Sequence, residues 1–436
     1  MPYFGFNGGI HPKYNKTATQ SKSAEVLPLA AGEVVHIPLA QHIGAPAKVL
    51  VKKNQQVKTG EPIGEASGFI STTIHSSVTG KVVAIGTVSH PVSGRVPGVS
   101  VEVEELSDEF MPLDSNTSFQ KSVMFAGIAG MGGATFPSHV KLSPPKDVDT
   151  LLINGAECEP YLTCDHRIML ERTEDVIKGA SLIRDNLKLK KLIIGIEKNK
   201  PDAIEKFAKY ERDYNFELVE LEVKYPQGGE KQLIKACLDR VVPEGQLPME
   251  VGVIVHNVGT CAAIYDALER HKPLFERMVT VTGAVKEPKN LIVRVGTPIS
   301  KLIEHCGGFT GKPKKIIMGG PMMGLAVTSP DTPVMKGTSG ILVYRDEDMP
   351  DLTQYKCMRC GRCIEACPMG LIPSAMDRFV VKEMYESLAD WHVMNCIECG
   401  CCSYVCPSRR TLAGGFKTSK RIVAGILRSR EEKKNG

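Results

Sequence analysis

The chain has 436 residues, which exceeds the length at which a single hydrophobic core keeps growing, so we expect two to four domains. With 42% hydrophobic and 24% charged residues, the composition is that of a folded protein and excludes a disordered chain. The net charge of +5 is modest and the basic residues are not interleaved with aromatic ones, so nucleic-acid binding is not predicted.

Membrane segments and disulfides are not predicted either. No apolar run reaches the roughly 18 residues that span a bilayer, and the start MPYFGFNGGIHPKYNK lacks the apolar core of a signal peptide. We therefore expect a cytoplasmic protein. Of the 14 cysteines, nine lie between residues 357 and 406, and this clustering favours metal ligation over a disulfide scaffold.

Residues 1–29 are predicted to form an N-terminal arm, and residues 30–112 a β domain. Runs such as AKVLV, TTIHSSV and GKVVAI alternate with glycines, which is typical of strands and turns. The stretch VKKNQQVKTGEPIGEA is similar to the barrel-sandwich domain of biotinyl and lipoyl carriers. Those carriers present a lysine at a hairpin tip, whereas ASGFISTTI offers none, so we predict a structural copy without a swinging arm.

Residues 118–268 are predicted to form a Rossmann-like α/β domain. DTLLING and KKLIIGI have the length of buried parallel strands, and DAIEKFAKYERDY predicts an intervening helix. The loop GIAGMGGATFPSHVKL contains four glycines, which let a backbone approach a phosphate or a flavin ring closely. An ordinary glycine turn has the same composition, and the fingerprint GxGxxG is absent, so this loop alone leaves both interpretations open.

Residues 269–340 are predicted to form a small β-grasp module. The stretch VTVTGAVKEPKNLIVRVGTPISKLIEHCGGF resembles the module that follows the flavin domain in respiratory complex I. We expect this module to bridge the flavin domain and the cysteine-rich segment that follows it.

Two cysteine quartets dominate residues 345–412, and both read C-x2-C-x2-C-x3-C-P. This run is typical of paired [4Fe–4S] clusters in which the fourth cysteine of each run serves the other cluster. Three thiolates on one tight loop can reach three irons of a cubane, while the fourth iron points toward a chain segment from elsewhere. One cluster is therefore predicted on Cys357, Cys360, Cys363 and Cys406, and the other on Cys367, Cys396, Cys399 and Cys402.

Other features of this segment support an electron-transfer domain. Structural zinc sites are the alternative, but their ligands come as separated C-x2-C pairs without a closing proline. Cys401 falls out of step with the quartet and is not predicted to be a ligand. The insert IPSAMDRFVVKEMYESLADWHV has apolar residues at helical spacing, which favours a helical two-cluster ferredoxin domain.

Residues 413–436 form a basic tail around an apolar stripe at Ile422, Val423, Ile426 and Leu427. Two interpretations stay open. The tail is either a basic amphipathic helix on an anionic membrane or a partner subunit, or a solvated terminal helix.

Four stretches, GMGGATFPSHVK, NGAECEPY, YPQGGE and NVGT, occur in the same order as in the flavin-bearing subunit of respiratory complex I, which the chain resembles at all four. The resemblance implies an FMN that converts between hydride and single-electron transfer. By this resemblance, Gly130, Gly132, Gly133 and Lys141 line the FMN, Asn154 and Glu157 lie on its ring, Phe136 and Glu159 contact the nicotinamide, and Tyr225, Gly228, Glu230, Asn257 and Thr260 complete the pocket.

The chain departs from that family at four positions. Met131, Ala156, Cys158 and Gly229 stand where the family carries Arg, Asp, Ser and Glu. These changes affect the details of nucleotide recognition and leave the flavin prediction in place. Cys158 is interpreted either as a redox thiol or as a small buried filler.

The order of arm, barrel-sandwich domain, flavin domain, β-grasp module and paired clusters resembles the RnfC family of Rnf electron-transport complexes. The expected fold is thus multidomain, with α/β and α+β parts. The resemblance implies a peripheral subunit, on the cytoplasmic side of the cell membrane, of a complex that links ferredoxin and NAD(H) to ion pumping. Its cofactors would be FMN and two [4Fe–4S] clusters, and its partners the other subunits.

Two alternatives remain open from the sequence. One is a soluble NADH-dependent reductase, such as a microcompartment cobalamin reductase, which has a similar architecture. The other is a flavin-free electron-transfer adaptor whose α/β domain is purely structural.

Overall fold

The computed structural model describes residues 3–114 and 116–435. Within these residues the strands form four sheets, and a helical unit follows the last of them. Among the helices of the described ranges, none is both long and apolar enough to cross a membrane.

The first unit consists of two antiparallel sheets, with strand orders β2-β8-β7-β4 and β3-β5-β6. Apolar residues alternate along β2 and β8, so Val35, Ile37, Val99 and Val101 all point into the core between the sheets. The loop between β5 and β6 carries an exposed Phe69 and no lysine. The strands up to the end of this unit are β1 (Ala24–Val26), β2 (Val34–Pro38), β3 (Lys48–Val49), β4 (Gln56–Val57), β5 (Pro62–Glu65), β6 (Ile74–His75), β7 (Thr79–His90) and β8 (Gly94–Glu105).

The second unit is a parallel sheet covered by helices on both faces, with strand order β11-β10-β9-β12. Its elements are α1 (Phe119–Phe125), α2 (Ser138–Lys141), β9 (Thr150–Gly155), α3 (Cys164–Glu171), α4 (Thr173–Asn186), β10 (Lys191–Glu197), α5 (Pro201–Ala208), β11 (Glu217–Leu221), α6 (Glu230–Leu238), β12 (Val253–Asn257) and α7 (Val258–Glu269), with a 3-10 turn at Pro248–Val251. Strands β9 and β10 are buried on both faces, which explains their nearly continuous apolar sequence and confirms the two strand predictions.

The third unit is a mixed six-stranded sheet, of order β1-β14-β13-β17-β15-β16, with one helix packed on it. Its elements are β13 (Glu276–Gly283), β14 (Lys289–Arg294), α8 (Ile299–His305), β15 (Pro313–Met318), β16 (Leu325–Val327) and β17 (Gly340–Arg345), followed by a 3-10 turn at Asp346–Asp348. Strand β1 pairs in parallel with β14, so the N-terminal arm contributes an edge strand to this sheet.

The fourth unit is helical and carries both cysteine quartets. It contains α9 (Arg362–Glu365), α10 (Pro373–Val381), α11 (Tyr385–Asp390), α12 (Cys401–Tyr404) and α13 (Leu412–Asn435), with a 3-10 turn at Val393–Asn395. Helices α10 and α11 confirm the predicted helical insert. Its small core gathers Met376, Leu388, Phe416 and Val423.

The basic tail is helix α13, and its apolar stripe is partly used inside the molecule. Val423 is fully buried and Leu427 packs against the same core, whereas Ile422 is 47% exposed. Arg430 forms ion pairs with Glu386 and Asp390 of α11. The tail is therefore a packed element of the helical unit. Residue 436, at the end of the predicted tail, lies outside the described residues.

Candidate functional site

The carboxyl ends of β9 and β12 lie side by side, with Asn154 opposite Asn257 in the register. Strands β10 and β11 extend the sheet on one side of β9, whereas β12 lies on the other side. This is therefore the topological switch point of the sheet, the place where open α/β sheets bind their ligands.

The glycine-rich loop lies at this switch point. The backbone N–H of Met131 donates to Thr260 Oγ1 at 3.0 Å, and a Cβ on Gly132 would lie 3.4 Å from Asn257 Nδ2. Gly133 has a φ of +71°, and no atom lies within 4 Å of the position that its Cβ would occupy. The structure thus brings these predicted residues together and leaves the backbone at Gly133 open to a ligand.

The base of the loop is closed by the backbone of Phe136, whose carbonyl accepts a hydrogen bond from Gly130 N–H at 2.8 Å. Thr135 has a φ of +52°, and its carbonyl accepts a hydrogen bond from the Ile43 N–H of the first unit at 3.2 Å. The ring of Phe136 stays half-buried. The loop is thus held in shape from two sides.

Asn257 also caps helix α7. Its Oδ1 accepts from the N–H of Gly259 at 2.7 Å, and its Nδ2 donates to Asp165 Oδ2 at 2.7 Å. The N-terminal end of a 12-residue helix carries a partial positive charge and unpaired N–H groups. Beside a glycine loop with free space, this arrangement suits the phosphate of a nucleotide.

Lys141 and Glu230 form an ion pair at the same edge of the sheet. The Lys141 Nζ lies 2.7 Å from Glu230 Oε1 and donates to the Val255 carbonyl at 3.3 Å. Both side chains of the pair remain about one-third exposed, at 34% and 37%. Either group can therefore turn to a ligand without the cost of leaving a buried charge unpaired.

The loop that follows β9, residues 154–159, is called here the acidic loop, and it packs on the turn at residues 225–229. Asn154 Nδ2 donates to the Gly228 carbonyl at 2.8 Å, and the Gly228 N–H donates to Cys158 Sγ at 3.3 Å. Burial raises the pKa of Cys158 to about 12. A thiol with this pKa stays protonated at neutral pH, which favours the filler interpretation over a redox thiol.

Glu157 is turned toward helix α3. Its carboxylate accepts from the N–H groups of Asp165 at 2.7 Å and His166 at 3.3 Å. Burial raises the pKa of Glu157 to about 7, although the nearby ammonium of Lys16 opposes this rise. The side chain that the sequence placed on the flavin ring thus has structural partners within the α/β unit.

Glu159 reaches into the third unit. Its carboxylate accepts from the backbone N–H groups of Met322 at 3.0 Å and Met323 at 2.8 Å, and a Cβ on Gly320 would lie 2.3 Å from its Oε2. Burial raises the pKa of Glu159 to about 7. The predicted nicotinamide contact therefore fixes the loop at residues 320–324.

Sequence reasoning missed the buried cations around this site. Lys16 donates to the Glu157 carbonyl, Lys200 donates to the Ala156 carbonyl at 2.6 Å, and Arg277 donates to the Met131 carbonyl at 3.0 Å. All three side chains are almost fully buried. The only signal in the sequence was the position of Lys16 in the stretch FNGGIHPKYNK.

The cysteine quartets line two separate cavities. One is lined by Cys367, Cys396, Cys399 and Cys402, and the other by Cys357, Cys360, Cys363 and Cys406. These are the two sets predicted from the spacing. Four thiols around one cavity fit the ligand set of a [4Fe–4S] cluster.

The two quartets also share a backbone conformation. Arg359 and Gly361 have φ values of +59° and +80°, and Glu398 and Gly400, at the equivalent positions, have values of +59° and +79°. These left-handed residues curl each loop tightly enough to turn successive cysteines inward. The thiol of Cys401 instead lies 3.9 Å from the Tyr225 carbonyl.

Tyr225 lies between the α/β unit and the first of these cavities. Only 1% of the residue is exposed, and its hydroxyl donates to the Cys399 carbonyl at 2.8 Å. The sequence placed Tyr225 in the flavin pocket, whereas its phenol contacts a cluster loop. The turn at residues 225–229 therefore contacts the acidic loop on one side and the cysteine cavity on the other.

Family models match four successive segments of the chain. The RnfC barrel sandwich hybrid domain matches residues 4–105, the Nuo51 FMN-binding domain residues 123–266, the SLBB domain residues 278–326, and a 4Fe-4S dicluster domain residues 349–407. The switch-point loop lies in the second segment and both cysteine cavities in the fourth.

Similar proteins cover most of the chain. The RnfC-type component of the proton-translocating ferredoxin:NAD(+) oxidoreductase complex of Clostridium ljungdahlii is 45% identical over 87% of this chain and 85% of the relative. Its counterpart in the Na(+)-translocating complex of Acetobacterium woodii is 44% identical over 96% and 97%, respectively. The counterpart in the ion-translocating oxidoreductase complex of Rhodobacter capsulatus is 41% identical over 85% and 74%.

Proposed function

Because the chain belongs to the RnfC family of ion-translocating ferredoxin:NAD(+) oxidoreductase complexes, we propose that it is the component through which such a complex exchanges electrons with NAD(H). The observation that carries this proposal is the contact between a flavin-type switch point and a cluster loop within one chain, through Tyr225 and Cys399. The soluble-reductase and flavin-free alternatives receive no support from these relatives.

The cofactors divide the chemistry. FMN supplies the exchange of a hydride with NAD(H), and the two [4Fe–4S] clusters carry single electrons. The residues of this chain bind and orient these groups. The backbone at Gly130, Gly132 and Gly133 and the N-terminal end of α7 would hold the FMN phosphate, because both present N–H groups at the switch point.

The remaining predicted residues surround the flavin site. Lys141 and Glu230 stay partly exposed and can bind polar groups of a nucleotide. Asn154 and Gly228 hold the acidic loop against the turn at residues 225–229, and Phe136 offers a half-buried ring on the nicotinamide side. Glu159 would act on NAD(H) by fixing the loop at residues 320–324.

The positions of the two cavities give an order to the clusters. The cavity of Cys367, Cys396, Cys399 and Cys402 adjoins the flavin-bearing unit through Tyr225, so its cluster is the proximal one. In the other quartet, Cys357 and Cys360 are exposed. We assign the distal cluster to this quartet and the exit to partner subunits to its exposed face. The protein would be bound peripherally on the cytoplasmic side of the membrane.

The decisive experiment is anaerobic purification with iron, sulfide and FMN quantified per chain, followed by NADH titration under an optical beam. We expect about eight irons and about one FMN per chain, and bleaching of both flavin and cluster absorbance by NADH. Zinc in place of iron, or no response to NADH, would contradict the proposal. Copurification with integral-membrane subunits separates it from the soluble reductase.

A further inference from the structure

The N-terminal arm passes between the helical unit and the flavin-bearing unit. The N–H of Gly9 donates to the Ala366 carbonyl at 3.0 Å, beside the first cysteine quartet. The next residue, Ile10, exchanges two backbone hydrogen bonds with Tyr225, of 2.8 and 2.9 Å. Within three residues, the arm therefore contacts both units that surround the proximal cluster cavity.

Gly8 brings the arm against the backbone of Cys367, a cysteine of the proximal quartet. A Cβ on Gly8 would lie 2.6 Å from the Cys367 carbonyl oxygen and 2.7 Å from its carbon, and the φ of Gly8 is +70°. Backbone atoms cannot yield as the end of a flexible side chain can. A side chain at position 8 would therefore have to displace the backbone of Cys367.

Lys16 connects the same arm to the acidic loop. Its ammonium donates to the Glu157 carbonyl and lies 3.7 Å from Glu157 Oε2, and its side chain is 2% exposed. Glu157 has a φ of +45°, an uncommon conformation for a residue with a side chain. A buried ammonium is tolerated only where it is paired, so the arm and the acidic loop depend on each other.

We propose that the N-terminal arm is a positioning element for both cofactor sites, with Gly8 setting the backbone of Cys367 and Lys16 holding the acidic loop. Neither residue touches a reacting atom. The proposal rests on the proposed function only in taking a cluster and FMN as the occupants of the two sites.

The Gly8→Ala variant tests the cluster side, and Gly32→Ala is the matched control. Gly32 also has a positive φ, of +86°, but no atom lies within 4 Å of its Cβ position. We expect G8A to lose about half of its iron, or to change the electron paramagnetic resonance signal of one cluster, with FMN bound normally. G32A should keep both clusters. A G8A protein with two unaltered clusters, or one that loses both clusters and FMN together, would overturn the positioning role.

The Lys16→Met variant tests the flavin side, and Lys13→Met, at an exposed position of the same arm, is its control. We expect K16M to raise the dissociation constant for FMN by on the order of tenfold, because the Glu157 carboxylate loses its buried partner. Both clusters should be retained. If K16M does not fold, K16Q, which keeps an amide donor without the charge, takes its place. Unchanged FMN affinity in the folded variant would overturn the role of Lys16.

The wild-type protein separates this inference from the proposed function. If wild-type protein purified anaerobically binds no FMN, the proposed function fails. If it binds FMN and two clusters while G8A and K16M behave like their controls, only the role of the arm fails.

Discussion

The hydroxyl of Tyr225 donates a 2.8 Å hydrogen bond to the backbone carbonyl of Cys399, which joins the turn at residues 225–229 to a cysteine cavity. The bond is buried, so its loss leaves a carbonyl group without a partner and without water. It is a direct link between the flavin-bearing unit and the proximal cluster, and it sets the relative placement of the two sites.

Tyr225→Phe should loosen this junction without emptying either site. A buried carbonyl without a donor costs about 1–3 kcal/mol, so we expect faster loss of iron from one cluster to a chelator. Tyr210→Phe is the control, because the Tyr210 hydroxyl bonds to Glu174 at the surface. Equal iron release from Y225F, Y210F and wild type would show that the bond contributes nothing to the junction.

Serine substitutions should sort the cysteines into two groups. C357S and C406S are expected to change the spectrum of one cluster, and C367S and C402S that of the other, because each pair lines one cavity. C401S should leave both signals in place. Electron paramagnetic resonance of the reduced variants checks this. If C406S altered the same signal as C402S, the exchange of the fourth ligand between the quartets would be wrong.

Glu159→Ala should affect NADH oxidation through the loop at residues 320–324. The N–H groups of Met322 and Met323 lose their acceptor, so the loop no longer has a fixed position. We expect a rise in KM for NADH of about tenfold, with FMN and iron content unchanged. Glu33→Ala, which removes a carboxylate bonded to the N–H of Ala30 at an exposed site, is the control. Wild-type kinetics in E159A would refute this role.

Lys336 should make stability depend on pH. Its ammonium donates to the Thr73 and Gly127 carbonyls, where three units meet, and burial lowers its pKa from 10.5 to about 7. Between pH 7 and 10.5 the unfolded chain holds a proton that the folded protein has released. The free energy of unfolding should therefore rise with pH in this window, by up to about 1.4 kcal/mol per unit.

The comparison of Lys336→Met with wild type isolates this effect. K336M should lack the added rise between pH 7 and 10.5 in urea unfolding, whereas Lys312→Met, at an exposed position, should keep it. Parallel pH profiles of wild type and K336M would mean that Lys336 stays protonated in the folded protein.

Helix α13 should be needed for the helical unit. Val423 is fully buried in the core of that unit, whereas the neighbouring Ile422 is 47% exposed. V423D buries a charge without a partner, so we expect a loss of several kcal/mol and of bound iron. I422D should behave like wild type. Iron retention in V423D would show that the tail is not part of this core.

Some of this architecture follows from the sequence because its causes are local. The strands at Thr150–Gly155 and Lys191–Glu197 are continuous apolar runs, and such runs predict strands buried on both faces. The cysteine quartets fix their own loops, since three thiols within seven residues can serve one cluster only by curling inward. The order of the matched domains likewise follows the order of the motifs.

The tertiary structure alone decides which way the polar side chains turn. Glu159 bonds to residues more than 160 positions away, Tyr225 to a carbonyl 174 positions away, and Lys16 to one 141 positions away. No local pattern encodes such partners, because a buried polar group needs a partner, and the fold, not the neighbouring sequence, brings that partner near. The sequence therefore determines which cofactor chemistry the chain carries, and the packing of its units determines how the two cofactor sites are joined.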